Sequence, residues 1–121
     1  MNGKLQHFEM PAGDPARATK FYESVFGWKF TKAEPDFFQY WMADAVPTPA
    51  TFKREGDQKG PIIYLTVDDI AASIKKVREA GGKADDKQPI PTQGWHSRCT
   101  DTEGNPFTLY QTDASVPLPS A

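Results

Sequence analysis

The sequence predicts an α+β fold made of two βαβββ repeats. Two helix signals recur at one interval along the chain, and the strand-like segments that follow them recur at a slightly larger interval. A repeat of this length implies duplicated supersecondary units that bury a shared core. We therefore expect a single domain over residues 1–113 and a proline-containing tail over residues 114–121. The first repeat covers about residues 4–56 and the second about residues 60–113.

The first helix is predicted to begin after Asp14 and to end at Gly27. Aspartate at the N-cap accepts hydrogen bonds from free backbone N–H groups, and Pro15 at the first helical position loses no bond that it would otherwise make. Glycine readily adopts the left-handed conformation that ends a helix. The apolar residues lie at helical spacing, which predicts an amphipathic helix. Its apolar face contains Ala18, Phe21, Tyr22 and Val25.

The second helix has the same signals in register with the first. Asp69 follows Asp14 at the same interval at which Gly82 follows Gly27. Matching start and stop signals at one interval support a duplication. The apolar stripe of this helix contains Ile70, Ile74 and Val77.

The strand-like segments follow in the same order in both halves. Residues 37–44 match residues 94–101, and residues 49–54 match residues 106–111, both at an interval of 57. Each half therefore reads strand, helix, strand, strand, strand. The weakest strand is near residues 83–90, because prolines confine a strand to an edge or a bend. An α+β domain with two helices that are similar by chance is the alternative interpretation.

The composition argues against nucleic acid and membranes as partners. Lys and Arg number 14 against 16 Asp and Glu, for a net charge of -2, without the basic runs that neutralise phosphates. Apolar runs such as residues 61–65 are far shorter than the roughly 20 residues that span a bilayer. The N-terminus lacks the charged start and apolar stretch of a secretory signal. Because Cys99 is the only cysteine, we expect no internal disulfide, a buried unreactive thiol and a cytoplasmic protein.

Three stretches of the sequence resemble one known family. They are HFEMPAGDPARATKFYESVFGW in the first half, with VDDIAASIKKVREAGG and DTEGNPFTLYQ in the second. Through them the chain resembles the vicinal oxygen chelate superfamily over nearly all of residues 4–112. That group contains glyoxalase I, bleomycin-resistance proteins and extradiol dioxygenases, and the likeness is to small members related to lactoylglutathione lyase. The resemblance implies a glyoxalase-like fold with curved mixed sheets around a cavity, and a homodimer, while the function stays undecided because one fold hosts several chemistries.

Alternation along the strands sorts the side chains into two faces. One face is apolar and is expected to pack under the helices. The other mixes aromatic and polar side chains, and it lines the cavity if the sheets curl as the resemblance implies. Such a face is typical of small-molecule sites, although it also suits a filled barrel or a dimer interface. The predicted ligand-binding residues on it are His7, Glu9, Gln39, Trp41, Ile62, Tyr64, His96, Arg98, Thr108 and Tyr110.

The resemblance also implies where a divalent metal would be held. In glyoxalase-like members four strands each provide one ligand, typically His, Gln or Glu, and the metal acts as a Lewis acid. His7 matches the ligand position of the first strand. The other three positions hold Ile62, Thr51 and Thr108. Because these residues lack the charge and donors that a divalent ion needs, we predict neither a metal site nor a cofactor.

Without a metal, His7 is predicted to be a hydrogen-bonding residue of the cavity. A histidine titrates near neutral pH and can donate, accept or move a proton, so His7 and Glu9 are the candidates for acid–base catalysis. A rearranged metal set of His7, Glu9 and His96 stays open. Against it, side chains two positions apart on one strand point in parallel and lie about 6–7 Å apart.

Three functions remain open from the sequence. The first is a protein that binds a small aromatic or amphipathic molecule without a metal, as bleomycin-resistance proteins bind without catalysis. The second is a metal-dependent lyase or isomerase of the glyoxalase type, supported by His7. The third is a dimeric interaction module whose sheet face is the contact surface. The first function is motivated by the aromatic residues Trp41, Tyr64, Trp95 and Tyr110.

Overall fold

The computed structural model describes residues 2–33, 39–57 and 60–118. Within them, two helices and nine strands form an α+β fold, as the repeats predict. No helix in these ranges is long and apolar enough to cross a membrane. The elements in chain order are β1 (Lys4–Ala12), α1 (Pro15–Phe26), β2 (Phe30–Lys32), β3 (Tyr40–Ala43), β4 (Thr48–Lys53), β5 (Ile62–Thr66), α2 (Ile70–Glu79), β6 (Lys83–Ala84), β7 (Gln88–Ile90), β8 (Gly94–Thr100) and β9 (Pro106–Thr112).

The chain divides into two compact units. The N-terminal unit is Gln6–Ile62, and the C-terminal unit contains residues 2–5 and 63–118 of the described chain. Of the predicted strand over residues 37–44, residues 40–43 form β3, residues 39 and 44 are not part of the strand, and residues 37 and 38 lie outside the described ranges.

Both units have the same strand order. In the N-terminal unit it is β2-β3-β4-β1, with β1 parallel to β4 and the other neighbours antiparallel. In the C-terminal unit it is β6-β8-β9-β5, with β5 parallel to β9. The weak strand predicted in the second half is divided into β6 and β7, which both pair with β8. The shared order confirms that the chain contains two βαβββ repeats.

Helix α1 begins and ends where its signals predict. The side chain of Asp14 accepts a hydrogen bond from the backbone N–H of Arg17, and Gly27 adopts the left-handed conformation with a φ of 74°. The apolar face behaves differently from the prediction, because Phe21 and Val25 are more than half exposed. Only Pro15 of this helix is buried. The amphipathic pattern therefore does not bury this face within the chain.

Helix α2 does bury its apolar stripe. Asp69 caps it by accepting a hydrogen bond from the backbone N–H of Ala72. The helix ends at Glu79, and Gly81 adopts a positive φ of 95° just after it. The core that the helix covers contains Val67, Ile70, Ile74, Cys99 and Leu109.

The lone cysteine belongs to this core. Cys99 is 5% exposed, and burial is the largest cause that raises the pKa of its thiol. A raised pKa keeps the thiol protonated and therefore weakly nucleophilic. These findings agree with the expected buried, unreactive side chain.

Candidate functional site

The C-terminal unit presents a mixed aromatic and polar face on the side of its sheet away from α2. His96 pairs with Tyr110 across β8 and β9, and Arg98 and Tyr64 both pair with Thr108. Residues paired on neighbouring strands point to the same side of a sheet, whereas core residues such as Leu109 alternate to the other side. The structure therefore brings the predicted residues of this unit onto one face.

The members of this face differ in exposure. Thr108 is 2% exposed and is therefore covered by its neighbours, whereas Arg98 is exposed. Tyr110 donates a hydrogen bond from its hydroxyl to the carbonyl of Gln93 at 3.3 Å. Ile62, the first residue of β5, precedes Tyr64 by two positions and points to the same side of that strand.

A small polar pocket adjoins this face. Its volume is about 200 Å³, and its lining combines both signs of charge with an imidazole and an amide. The backbone N–H of Asp85 donates to the carbonyl of Arg98 at 2.9 Å, which holds the loop after β6 beside β8. Asp86 forms an ion pair with Arg78 at 3.1 Å. The pocket is lined by Asp85, Asp86, Gln88, His96 and Arg98.

The N-terminal unit contains a chain of three hydrogen-bonded side chains. The Nε2 atom of His7 lies 2.7 Å from the hydroxyl of Tyr40, and that hydroxyl donates to Oε2 of Glu9 at 2.6 Å. The same Nε2 and Oε2 atoms lie 3.5 Å apart, and the two side chains are only 14% and 13% exposed. Tyr40 therefore joins the two predicted candidates for acid–base chemistry.

Tyr40, rather than the predicted Trp41, lies on the same sheet face as His7. Trp41 pairs with Thr51 and with Lys32, whose ammonium lies 5.5 Å from the centre of the indole ring. Because neighbouring residues on a strand point to opposite sides, Trp41 faces away from the side where Tyr40 contacts His7. Gln39 comes directly before β3, outside the strand. The prediction that Trp41 shares the face of His7 is therefore wrong, whereas the placement of Gln39 stays a prediction.

The physical reason is a shift in strand register. Phe30 is paired on the Trp41 side and contacts Tyr22 of α1, with 6.5 Å between the ring centroids. That side is therefore the helix side, whereas Arg98 lies on the side away from α2. The sequence match that aligned Trp41 with Arg98 thus joined opposite sides of the two sheets, because a slip of one residue turns every side chain to the other face.

The same register shift makes the predicted position of Thr51 wrong. It is fully buried on the α1 side, and its hydroxyl donates to the carbonyl of Met10 at 2.9 Å. On the side of His7, strand β4 instead presents Thr48, Ala50 and Phe52. None of these side chains provides a carboxylate or an imidazole.

The side chains do not fit the divalent metal that the family pattern implies. Among residues 2–33, 39–57 and 60–118, no three His, Cys, Asp or Glu side chains are grouped so that they could hold one ion. His7 and Glu9 provide two donors, and both already bond to the hydroxyl of Tyr40. A catalytic zinc site has three protein ligands, so this donor set is too small.

Trp95 is not part of the candidate face. It packs against the core under α2, on the opposite side of β8 from His96. Its indole N–H donates to Asp113 at 3.2 Å, and the ammonium of Lys87 lies 4.3 Å from the ring centre. Trp95 therefore gives no support to an aromatic binding face.

Asp113 anchors the start of the predicted tail. Hydrogen bonds from the side chain and backbone of Ser115, then from Trp95, hold the pKa of Asp113 below its ordinary value. Val116 is buried, and its carbonyl accepts a hydrogen bond from the backbone N–H of Thr92. The tail is therefore packed on the C-terminal unit at least as far as Val116.

The chain resembles known proteins in sequence and in fold. The model of the Glyoxalase/Bleomycin resistance protein/Dioxygenase superfamily matches residues 4–109. A glyoxylase-like domain-containing protein of Didymella fabae is 32% identical over 124 residues, which cover 90% of this chain and 94% of that protein.

Two solved structures illustrate the likeness in fold. A methylmalonyl-CoA epimerase in complex with methylmalonyl-CoA and NH4+ has a TM-score of 0.73 at 16% identity, with 98% of this chain and 100% of the other covered. A hypothetical protein from Bacillus halodurans C-125 has a TM-score of 0.71 at 12% identity, with coverages of 98% and 99%. At these identities the two structures show the fold alone.

Proposed function

The chain belongs to the glyoxalase/bleomycin resistance protein/dioxygenase superfamily, and on that premise we propose that it binds a small aromatic or amphipathic molecule without a divalent metal. The observation that carries the proposal is the face of the C-terminal unit, where aromatic and polar side chains lie on one side of the sheet beside a pocket. Ligand sites typically combine apolar or aromatic surface with a few polar groups. The side chains assigned to the ligand are Tyr64, His96, Arg98 and Tyr110.

The charged side chains near the pocket determine which polar group of a ligand would bind there. Arg98 offers a planar fork of N–H donors, which matches a carboxylate through two parallel hydrogen bonds. Asp85 and Asp86 border the same pocket as Arg98. Because the pocket contains both signs of charge, it does not select a cationic ligand. The rings of Tyr64 and Tyr110 supply flat surface for an aromatic body. The expected ligand is therefore a small aromatic acid or a neutral aromatic molecule with a polar end.

Binding of an aromatic carboxylate is the direct test. Benzoate, naphthoate and their neutral amides are titrated into the protein by isothermal calorimetry. We expect saturable binding of a carboxylate that weakens about tenfold to a hundredfold in Arg98→Gln, because a charge-assisted hydrogen bond contributes about 1.5–3 kcal/mol. Arg17→Gln is the matched control, since Arg17 is exposed on α1, in the other unit. Equal affinities for the two variants, or no saturable binding of any compound, would contradict the proposal.

The hydrogen-bonded His7, Tyr40 and Glu9 side chains favour a second candidate function, acid–base catalysis without a metal. An imidazole and a carboxylate joined through a phenol can hold a proton at a partly buried place. A metal-dependent lyase or isomerase has weaker support, because the donor set does not fit the ion. Metal content after purification without chelators separates these two: a metal enzyme holds close to one ion per chain, and the metal-free site holds none.

A further inference from the structure

The hydroxyl of Tyr40 lies between His7, which matches a metal-ligand position of the family pattern, and Glu9, which does not match one. His7 and Glu9 are two residues apart on β1, where parallel side chains normally do not converge. Both nevertheless contact one oxygen atom, at 2.7 Å from Nε2 of His7 and 2.6 Å from Oε2 of Glu9. A tyrosine on a different strand therefore gives these two groups a common partner.

The number of hydrogens determines the direction of both bonds. A phenol has one hydrogen, and an ionised carboxylate accepts but cannot donate. Because Tyr40 donates its hydrogen to Glu9, its oxygen can only accept from His7. The Nε2 atom of His7 must then carry a hydrogen, in the neutral as well as the protonated ring.

We propose that Tyr40 is a positioning residue whose hydroxyl takes the place of a metal ion between His7 and Glu9 and keeps the His7 proton on Nε2. The inference rests on the proposed metal-free function and gives it a structural cause. A zinc ion would need an unprotonated nitrogen at about 2.0–2.1 Å and a carboxylate oxygen at about 2.0–2.2 Å. The phenol occupies that space and keeps Nε2 protonated, so the ion meets a steric and a chemical obstacle.

The phenol also explains how the two groups stay paired without an ion. One O–H group is both a donor to the carboxylate and an acceptor from the imidazole. It satisfies both partners without the two positive charges that a divalent ion would bring. The ring centroids of His7 and Tyr40 lie 6.4 Å apart, and the ring planes are inclined by 25°. The phenol ring is therefore stacked beside the imidazole.

The tautomer of His7 is measured by long-range proton–nitrogen NMR of the uniformly nitrogen-15-labelled protein. The chain contains two histidines, so His96 serves as the internal reference and His7→Gln assigns the signals. We expect a pyrrole-type Nε2 in His7 above neutral pH. A pyridine-type Nε2 would overturn the inference, and this wild-type measurement needs no Tyr40 variant to fold.

Two tyrosine variants separate positioning from a general structural role. Tyr40→Phe removes only the hydroxyl and is expected to move the His7 nitrogen signals while those of His96 stay in place. Tyr22→Phe is the matched control, because Tyr22 stacks on Trp28 in the same unit, and neither histidine should respond to it. Unchanged His7 signals in folded Tyr40→Phe would overturn the proposal.

Zinc binding tests the replacement of the ion. Excess Zn²⁺ is expected to leave the His7 signals of the wild type unchanged, and Tyr40→Phe is expected to bind Zn²⁺ at least about tenfold more tightly. The gain should disappear in the double variant Tyr40→Phe with His7→Ala. Zinc bound at His7 in the wild type would refute both this inference and the metal-free function, and no gain in Tyr40→Phe would refute the replacement. Failure of every aromatic ligand, with these signals as expected, would refute only the proposed function.

Discussion

The two units share one strand order. They differ in how far the apolar face of the helix is buried and in what lies on the sheet face away from the helix. In the C-terminal unit α2 buries Ile74, and the face away from the helix borders an open polar pocket. In the N-terminal unit α1 leaves Val25 exposed, and the face away from the helix is occupied by the bonded side chains of His7, Tyr40 and Glu9. A duplicated backbone therefore does not imply duplicated chemistry, because topology depends on hydrogen-bonded strands whereas a site depends on individual side chains.

The largest expected effect is at Gly94, where the C-terminal unit has no space for a side chain. A Cβ atom at this position would lie 2.0 Å from the carbonyl oxygen of Gln111. Gly94→Ala is therefore expected to lower the free energy of unfolding by about 3 kcal/mol or more, because β8 and β9 must separate locally. Gly13→Ala is the control, since its Cβ would meet only the flexible end of Arg54. Equal urea midpoints for the two variants would show that this strand pairing is looser than described.

Truncation of one residue in each helix tests the difference in burial directly. Ile74 is 7% exposed and Val25 is 55% exposed. Ile74→Ala is expected to cost about 2–5 kcal/mol of unfolding free energy, whereas Val25→Ala should stay within about 0.5 kcal/mol, as for other exposed positions. Urea denaturation at several protein concentrations measures both. A large, concentration-dependent cost for Val25→Ala would instead show that a second copy covers α1, as the predicted homodimer allows.

The hydroxyls of Tyr40 and Tyr110, which both lie on sheet faces away from the helices, should differ in the same sense. Tyr40 bridges two partly buried groups, whereas Tyr110 makes one exposed bond at 3.3 Å. Tyr40→Phe is expected to lower the free energy of unfolding by about 1–3 kcal/mol, because it leaves a carboxylate and an imidazole without this partner. Tyr110→Phe should cost less than about 1 kcal/mol. If the two variants lose similar amounts of unfolding free energy in chemical denaturation, the contrast between the bonded face of the N-terminal unit and the open face of the C-terminal unit is wrong.

The smallest expected effect concerns pH and the anchor of the tail. The pKa of Asp113 is held below its ordinary value, first by the side chain of Ser115. A carboxyl group whose pKa is lowered by folding stabilises the folded state above its unfolded pKa of about 3.9, and this stabilisation disappears as pH falls through the lower folded value. The difference in unfolding free energy between the wild type and Asp113→Asn should therefore shrink on acidification below about pH 4. A difference independent of pH would contradict the assignment.

Local chemistry explains why so much of the fold was predictable. An aspartate N-cap and a glycine after the helix act within a few residues, so α1 is bounded as predicted. The repeat of helix signals at a constant interval led to the correct α+β class. In the C-terminal unit, alternation alone also sorted Tyr64, His96 and Arg98 onto one side, because that sheet has a clearly apolar opposite face.

By itself, the sequence determined the class of fold, the repeat, the helix boundaries and the polar face of the C-terminal unit. Only the tertiary structure decided that Tyr40 rather than Trp41 reaches His7, that Thr51 faces α1, and that the apolar side of α1 is exposed. The reason is that these outcomes depend on strand register and on which neighbour covers a surface. Both are set by contacts between residues far apart in the chain, and a register shift of one residue reverses them.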